Sequence, residues 1–323
     1  MERECNFGSY KFSAIELADQ IGISKQTFHD LVRKRLIEPK MITVGASKKK
    51  FYDWNDLAKL SLRFKERVSF PRYKIKVFCN LKGGVGKSTL SVNFAMRAAS
   101  CGIKVLFIDA DPQANSTLAF GINPDAENPK TLHSLFTGDE FDDVVFKLCP
   151  HLFLIPSCLR LNKAEFYLRS KNNGQKQLSM WISKISEKFD MIVVDTNPSL
   201  SYLNTNAFLA ADHLCIVAET ELFSVSGMNS MFEVIEELQS DYPEFDPKIS
   251  IIPNLYDVRE KNSQMALGSL QEAYNEECTS TVVKRNADIK DAINNSQAVF
   301  FHKKKSTGSR DICDLTSELL SKQ

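Results

Sequence analysis

Residues 81–89 read Leu81-Lys82-Gly83-Gly84-Val85-Gly86-Lys87-Ser88-Thr89, a spacing of glycine, lysine and hydroxyl that suits a phosphate-binding loop. Glycines let the backbone wrap a phosphate with its N–H groups turned inward. A helix starting directly after the loop adds the positive end of its dipole. The flanks fit, because an apolar strand-like run over 75–80 precedes the loop and a helical pattern over 88–100 follows it. Lys87 is placed to reach β- and γ-phosphates and the Ser88 hydroxyl to bind Mg2+, with Gly83, Gly84, Val85, Gly86 and Thr89 completing the cradle. The usual pattern has Gly where this chain has Leu81, and here an extra lysine, Lys82, opens the loop. Two more runs end in acid. Residues 105–113 place Asp109 and Asp111 at a strand's C-terminal edge, where open α/β sheets bind ligands. Residues 191–195 end in Asp195, as a Walker-B aspartate should. Three acidic strand ends beside a phosphate loop point to nucleotide hydrolysis.

The elements that must position these groups are legible as alternation. Apolar runs at 75–80, 105–109, 152–156, 191–195, 213–218 and 249–254 are separated by helical patterns such as 88–100 and 227–240. This predicts an α/β fold, a mostly parallel doubly wound P-loop sheet, over residues 74–323.

The N-terminal part is different. The chain has 323 residues and a formal net charge of +1, but the charge is unevenly divided. Residues 1–72 carry 15 Lys and Arg against 9 Asp and Glu, the remainder 26 against 31. A basic head on a mildly acidic body suggests that the head meets a polyanion. Ser13-Ala14-Ile15-Glu16 is a capping-box start, and Ile15, Leu17, Ala18 and Ile21 supply an apolar face. Gly22 breaks that helix and Ser24 caps a second, residues 25–34. On it Phe28, Leu31 and Val32 pack inward while Lys25, Gln26, His29 and Arg33 face out. Helix, glycine turn and helix is the helix-turn-helix arrangement, whose second helix enters the major groove of DNA. Residues 42–52 then read as a β-hairpin with a small-residue tip and a basic arm, Lys48-Lys49-Lys50, suited to phosphate contact. Asp53 caps a further helix carrying Leu57, Leu60 and Phe64. Residues 14–60 together resemble the winged helix-turn-helix of the MerR type. The predicted organisation is a DNA-binding domain over 1–67, a linker over 68–73 containing Pro71, and the nucleotide domain over 74–323.

Composition narrows the classes. Hydrophobic residues at 43% and charged residues at 25% are globular values. No apolar stretch reaches the roughly 18 residues that cross a bilayer, and the first residues have no apolar signal region. The eight cysteines form no C-x-x-C pair and read as reduced core residues of a cytoplasmic protein.

Lys82–Thr89, Asp109-Ala110-Asp111-Pro112-Gln113 and Asp195-Thr196-Asn197-Pro198-Ser199 resemble the deviant Walker A, A′ and B boxes of the ParA/MinD ATPases. Ala114-Asn115-Ser116-Thr117 continues the likeness, as do Ile252-Pro253-Asn254-Leu255-Tyr256-Asp257 and Val282-Val283-Lys284-Arg285-Asn286. With the N-terminal unit, the chain resembles the larger plasmid-partition ATPases of the P1-phage ParA and SopA type. The resemblance implies ATP and ADP with Mg2+ as cofactors, and Lys82 as the signature lysine that crosses an ATP-bound homodimer. It implies that Lys87 grips phosphate in cis, that Ser88 holds Mg2+ with Asp109 and Asp195, and that Asp111 orients the attacking water. It places Pro253 and Asn254 at the adenine side. Its implied partners are nonspecific DNA, an operator bound by the head, and a ParB-like centromere-binding protein that stimulates slow hydrolysis, in a cytoplasmic, nucleoid-associated protein. Asp288 stands where many relatives carry an Arg, so Lys284, Arg285, Lys290, Lys303, Lys304 and Lys305, with Arg310, are the expected phosphate contacts. The competing reading is a transcriptional regulator that only senses nucleotide; Lys82 and Asp111 argue against it. A MinD-like membrane cycle needs a basic amphipathic C-terminal helix, and residues 309–323 carry Asp311, Asp314 and Glu318 instead.

Overall fold

The apolar runs after residue 74 assemble into one sheet because each can bury both faces only between layers of helices. The computed structural model describes residues 9–45, 47–64, 74–127, 129–221 and 224–321. The expected linker at 68–73 and the hairpin-tip residue Ala46 lie outside them.

The N-terminal elements are α1 (Ala14–Ile21), α2 (Lys25–Arg33), the antiparallel pair β1 (Lys40–Val44) and β2 (Ser47–Phe51), and α3 (Trp54–Arg63). Then come β3 (Ile75–Cys79), α4 (Lys87–Ser100), β4 (Val105–Ala110) and α5 (Asn115–Ala119). Three short helices follow, α6 (Pro124–Glu127), α7 (Leu132–Thr137) and α8 (Phe141–Val144), then β5 (Phe146–Cys149) and β6 (Leu152–Ile155). Next are α9 (Leu161–Arg169), α10 (Gln177–Ile185), β7 (Met191–Thr196), α11 (Tyr202–Phe208), β8 (His213–Glu219), α12 (Ser224–Asp241) and β9 (Lys248–Asn254). The chain closes with α13 (Lys261–Ala273), α14 (Ala287–Asn294), α15 (Val299–His302) and α16 (Thr307–Ser321).

The strand order is β5-β6-β4-β7-β3-β8-β9. All pairings are parallel except that of β5 with β6. The edge strand β5 is not among the runs read from the sequence. It is four residues long and its register with β6 slips between Lys147 and Cys149, so it leaves no clean alternation. β3, β4 and β7 end side by side, which brings the loop after β3 next to Asp109 and Asp195; these two are register partners.

The expected capping of the head is present. Ser13 and Glu16 form the capping box of α1, Ser24 accepts from the Thr27 N–H, and Asp53 caps α3. Phe12, Leu17, Phe28, Tyr52, Trp54 and Leu57 fill its core. Ile15, expected on the apolar face, is instead 49% exposed, since Leu17, Ala18 and Ile21 already occupy the side of α1 that faces the core. Lys25, Gln26, His29, Arg33, Lys48, Lys49 and Lys50 are all exposed.

The head and the sheet unit share a continuous apolar core. Tyr10 stacks on Phe301 at 3.9 Å, and Phe12 and Trp54 meet the same ring edge-on. On the other side, Gln20 accepts from Arg97 and from the Ser100 hydroxyl, both on the last turn of α4. Gly102 permits the close approach of α3: a Cβ there would lie 2.2 Å from Ser61 Oγ. Helix α4, which begins at the phosphate loop, is therefore buried along most of its length and ends against the head.

Candidate active site

The loop between β3 and α4 is held from three sides. Asn80 donates to the Val217 carbonyl (2.7 Å) and accepts from the Lys82 N–H (2.8 Å), fixing where the loop begins. Asn254, at the end of β9, donates to the Val85 carbonyl at 2.7 Å. Gly86 has φ +91°, and a Cβ on it would lie 2.4 Å from Asn254 Nδ2; both facts demand glycine. Gly86→Ala is thus expected to lower nucleotide affinity by about tenfold or more through a displaced loop, while the far-ultraviolet spectrum stays that of the wild type. Calorimetric titration with ADP checks this.

Lys87 is buried and donates to the Lys82 carbonyl at 3.0 Å. Burial pulls its pKa down, while Asp195, Cys79 and Asp111 pull it up. Lys82 points the other way: its half-exposed ammonium pairs with Glu221 Oε2 at 2.7 Å and Glu219 Oε2 at 3.1 Å. Arg285 approaches Glu219 Oε1 at 3.6 Å.

The turn after β4 is closed by its own side chains. Asp109, fully buried, accepts from the Asp111 N–H at Oδ1 (3.1 Å) and from the Thr117 N–H and hydroxyl at Oδ2 (2.8 and 2.7 Å). Burial, then the neighbouring Asp195 charge, raise its pKa. Asp111 is buried, accepts from the Gln113 N–H at 2.9 Å, and is shifted upward by burial. Asp195 is fully buried and accepts from the Ser116 hydroxyl at Oδ2 (2.6 Å). Its pKa is lifted by burial and pulled back by the Ser116 and Ser88 hydroxyls. Asp195 Oδ1 is buried with no hydrogen-bond partner among the described residues; Ser88 lies alongside without completing a bond of ordinary geometry.

The AAA-domain family profile matches residues 73–251, more than half of the chain, including the phosphate loop and the turns that carry Asp109, Asp111 and Asp195. The chain belongs to the ParA/Soj/MinD family of partition ATPases. It is similar to the cell division protein PomZ of Myxococcus xanthus, with 26% identity over 310 residues, 96% of this chain and 92% of that one. It is also similar to the chromosome partitioning protein ParA of Caulobacter vibrioides, with 27% identity over 77% of this chain and 95% of the relative. The solved ATP complex of a point variant of Cyanothece McdA superposes with a TM-score of 0.68 and 26% identity, covering 77% of this chain and 97% of that one. As a family member the chain is a P-loop ATPase that hydrolyses ATP. A cobyrinic acid a,c-diamide synthase of Mycobacterium smegmatis, 24% identical and of the same fold, was solved with an ATP analogue and with ADP, each with magnesium.

Mg2+ fits the residues present. A buried carboxylate oxygen without a partner, next to a hydroxyl at the start of a helix, is the hard oxygen donor set this ion takes. Asp109, expected at the ion with Asp195, accepts hydrogen bonds at both oxygens, from the Asp111 N–H and from Thr117, and so braces the turn that carries it. Asn254, expected on the adenine side, donates one amide hydrogen to the loop carbonyl of Val85. Pro253 is buried beneath it, its carbonyl accepting from the Val283 N–H.

Several of the C-terminal basic residues are paired with acids. Lys284 pairs with buried Asp311 at 3.0 Å and Lys303 with Asp288 at 2.8 Å. Lys304 meets Glu16 of the head, beside the stack of Phe301 on Tyr10. Lys290 and Lys305 are exposed. Sequence reading missed the roles of Ser116, Thr117, Asn80, Glu219 and Glu221. The run Ala114–Thr117 carried the only signal, as part of the family likeness.

Proposed function

We propose that this chain is a DNA-partition ATPase whose ATP-bound homodimer holds nonspecific DNA and lets go on hydrolysis, and whose head binds an operator and represses its own operon. The observation that carries the reading is the union, in one chain, of a lysine at the phosphate loop's open edge with a basic two-helix-and-hairpin head. In this reading residues 1–67 are a winged helix-turn-helix domain, residues 68–73 a linker and residues 74–323 the ATPase. Lys87 neutralises the β- and γ-phosphates in cis. Ser88 and Asp195 hold Mg2+, which offsets phosphate charge when bound. Asp111 orients the attacking water. Lys82 leaves Glu219 and Glu221 and reaches the partner protomer's phosphates, a cation supplied in trans as an arginine finger is. A centromere-binding protein of the ParB kind stimulates the step, and the protein cycles on the nucleoid in the cytoplasm. In support, Caulobacter ParA is named for chromosome partitioning, and PomZ, similar over nearly the whole chain, for cell division. Among the described residues no helix is long and apolar enough to cross a membrane.

The head gives the test. Replacing Lys25, Gln26, His29 and Arg33 by Ala should erase the operator footprint while ATP-dependent binding to random DNA persists. Replacing Lys48, Lys49 and Lys50 by Ala should instead weaken the head's binding to operator and non-operator DNA alike and flatten its salt dependence by about 0.9 per lost phosphate contact. Operator binding that survives the first set refutes the head's assigned role. ATP turnover that stays at background with DNA and partner present would leave a nucleotide-sensing regulator.

A further inference from the structure

We infer that Ser116 is the positioning residue of Asp195: its hydroxyl fixes one carboxylate oxygen and thereby presents the other, unpartnered, to Ser88 and the Mg2+ of the nucleotide. Both residues are fully buried, and the bond from Ser116 Oγ to Asp195 Oδ2 is 2.6 Å, in the range of charge-assisted O–H···O contacts. The oxygen left over, Oδ1, is a buried acceptor with no partner among the described residues. An orphaned buried carboxylate oxygen is unfavourable unless something positive meets it. With Ser116 the hydroxyl that meets Asp195 at hydrogen-bond geometry among the described residues, the plane and rotamer of the carboxyl follow from that bond.

The first turn of α5 divides the labour. Ser116 serves Asp195, while its neighbour Thr117 serves Asp109 and also accepts from the Ser157 N–H at 2.9 Å. α5 can start here because Ala114 takes a left-handed conformation, φ +56°, and its N–H bonds the Asp111 carbonyl at 2.9 Å. A non-glycine residue in that region persists only where its surroundings over-determine it. One strained turn thus delivers two consecutive hydroxyls to the two buried aspartates at the ends of β4 and β7, and only Asp195 keeps an oxygen open.

The inference rests on the assignment of Asp195 and Ser88 to Mg2+, and Asp195→Asn tests that assignment separately. The measurement is the affinity of full-length protein for mant-ADP, in EDTA and across a Mg2+ titration. Ser116→Ala should leave affinity in EDTA unchanged and raise the Mg2+ concentration for half-maximal tightening about 10- to 100-fold, as loss of a ligand's hydrogen-bond partner does. Ser116→Thr, which keeps the hydroxyl, should restore the wild-type Mg2+ dependence. Should Ser116→Ala not fold, Ser116→Cys exchanges the strong donor for a weak one at similar volume and is expected to show the same shift. An unchanged Mg2+ dependence in a folded Ser116→Ala or Ser116→Cys protein, alongside a lost dependence in Asp195→Asn, overturns the role of Ser116. Affinity lost equally in EDTA overturns it too, since the effect would then be on the loop. An unchanged dependence in Asp195→Asn would reject the Mg2+ assignment itself.

Discussion

Lys87→Ala is expected to reduce affinity for ATP and ADP by at least about thirtyfold while the protein stays folded. Lys87 is the cation at the floor of the loop, buried among Asp111, Asp195 and the Lys82 carbonyl. Truncating one member of a buried charge pair costs about 2–5 kcal/mol, much of it the penalty of leaving the other charge unmatched. Here the unmatched group would be the polyphosphate. In the free protein the loss is small by comparison, because burial already disfavours the charged lysine. Calorimetry with ADP and Mg2+ gives the affinity, and circular dichroism the fold. Undiminished binding would remove residues 82–89 from the nucleotide site.

Lys82→Ala should behave differently. Its ammonium is half exposed and, among the described residues, is held by Glu219 and Glu221, pairings of the surface kind worth about 0–1 kcal/mol. Stability and the protomer's own nucleotide affinity should therefore change little. Turnover should fall by about three to five orders of magnitude, the range for removing a cation supplied in trans to a transferring phosphoryl group. The ATP-dependent dimer should disappear from sedimentation profiles. An equal loss of nucleotide affinity in the monomer would instead mean that Lys82 serves its own subunit.

What the sequence disclosed follows from how contiguous each signal is. Lys82 to Thr89 is one unbroken run whose glycines, lysines and hydroxyl each have a single physical use, so loop, flanking strand and helix could all be read. Asp109 and Asp195 were visible because an acid at the end of an apolar run is conspicuous. What these acids do was not visible. The bond that orients Asp195 comes from Ser116, 79 residues away, and the one that ties Asn254 to the loop spans 169 residues. Only the sheet order brings such groups together. The same distance hid the cis clasp of Lys82 and the closure of Lys304 on Glu16. A row of lysines in the sequence says nothing about which of them fold back onto an acid. In the head the signals were local, caps and a glycine turn, and its elements lie where they were expected. Ile15 is the exception, because eight residues of α1 leave room for only one narrow apolar stripe.

In the proposed cycle each protomer completes the other's site with Lys82 while supplying its own Asp111. Mixing two inactive proteins tests it most directly. Lys82→Ala retains Asp111, Asp111→Ala retains Lys82, and each alone should hydrolyse ATP at background. In an equimolar mixture each mixed dimer holds one complete site, so turnover should rise clearly above that of either protein alone, to at most about a quarter of the wild-type rate, the value for fully random pairing. A mixture as inactive as its two components would show that both residues must sit in the same chain, and would contradict the account.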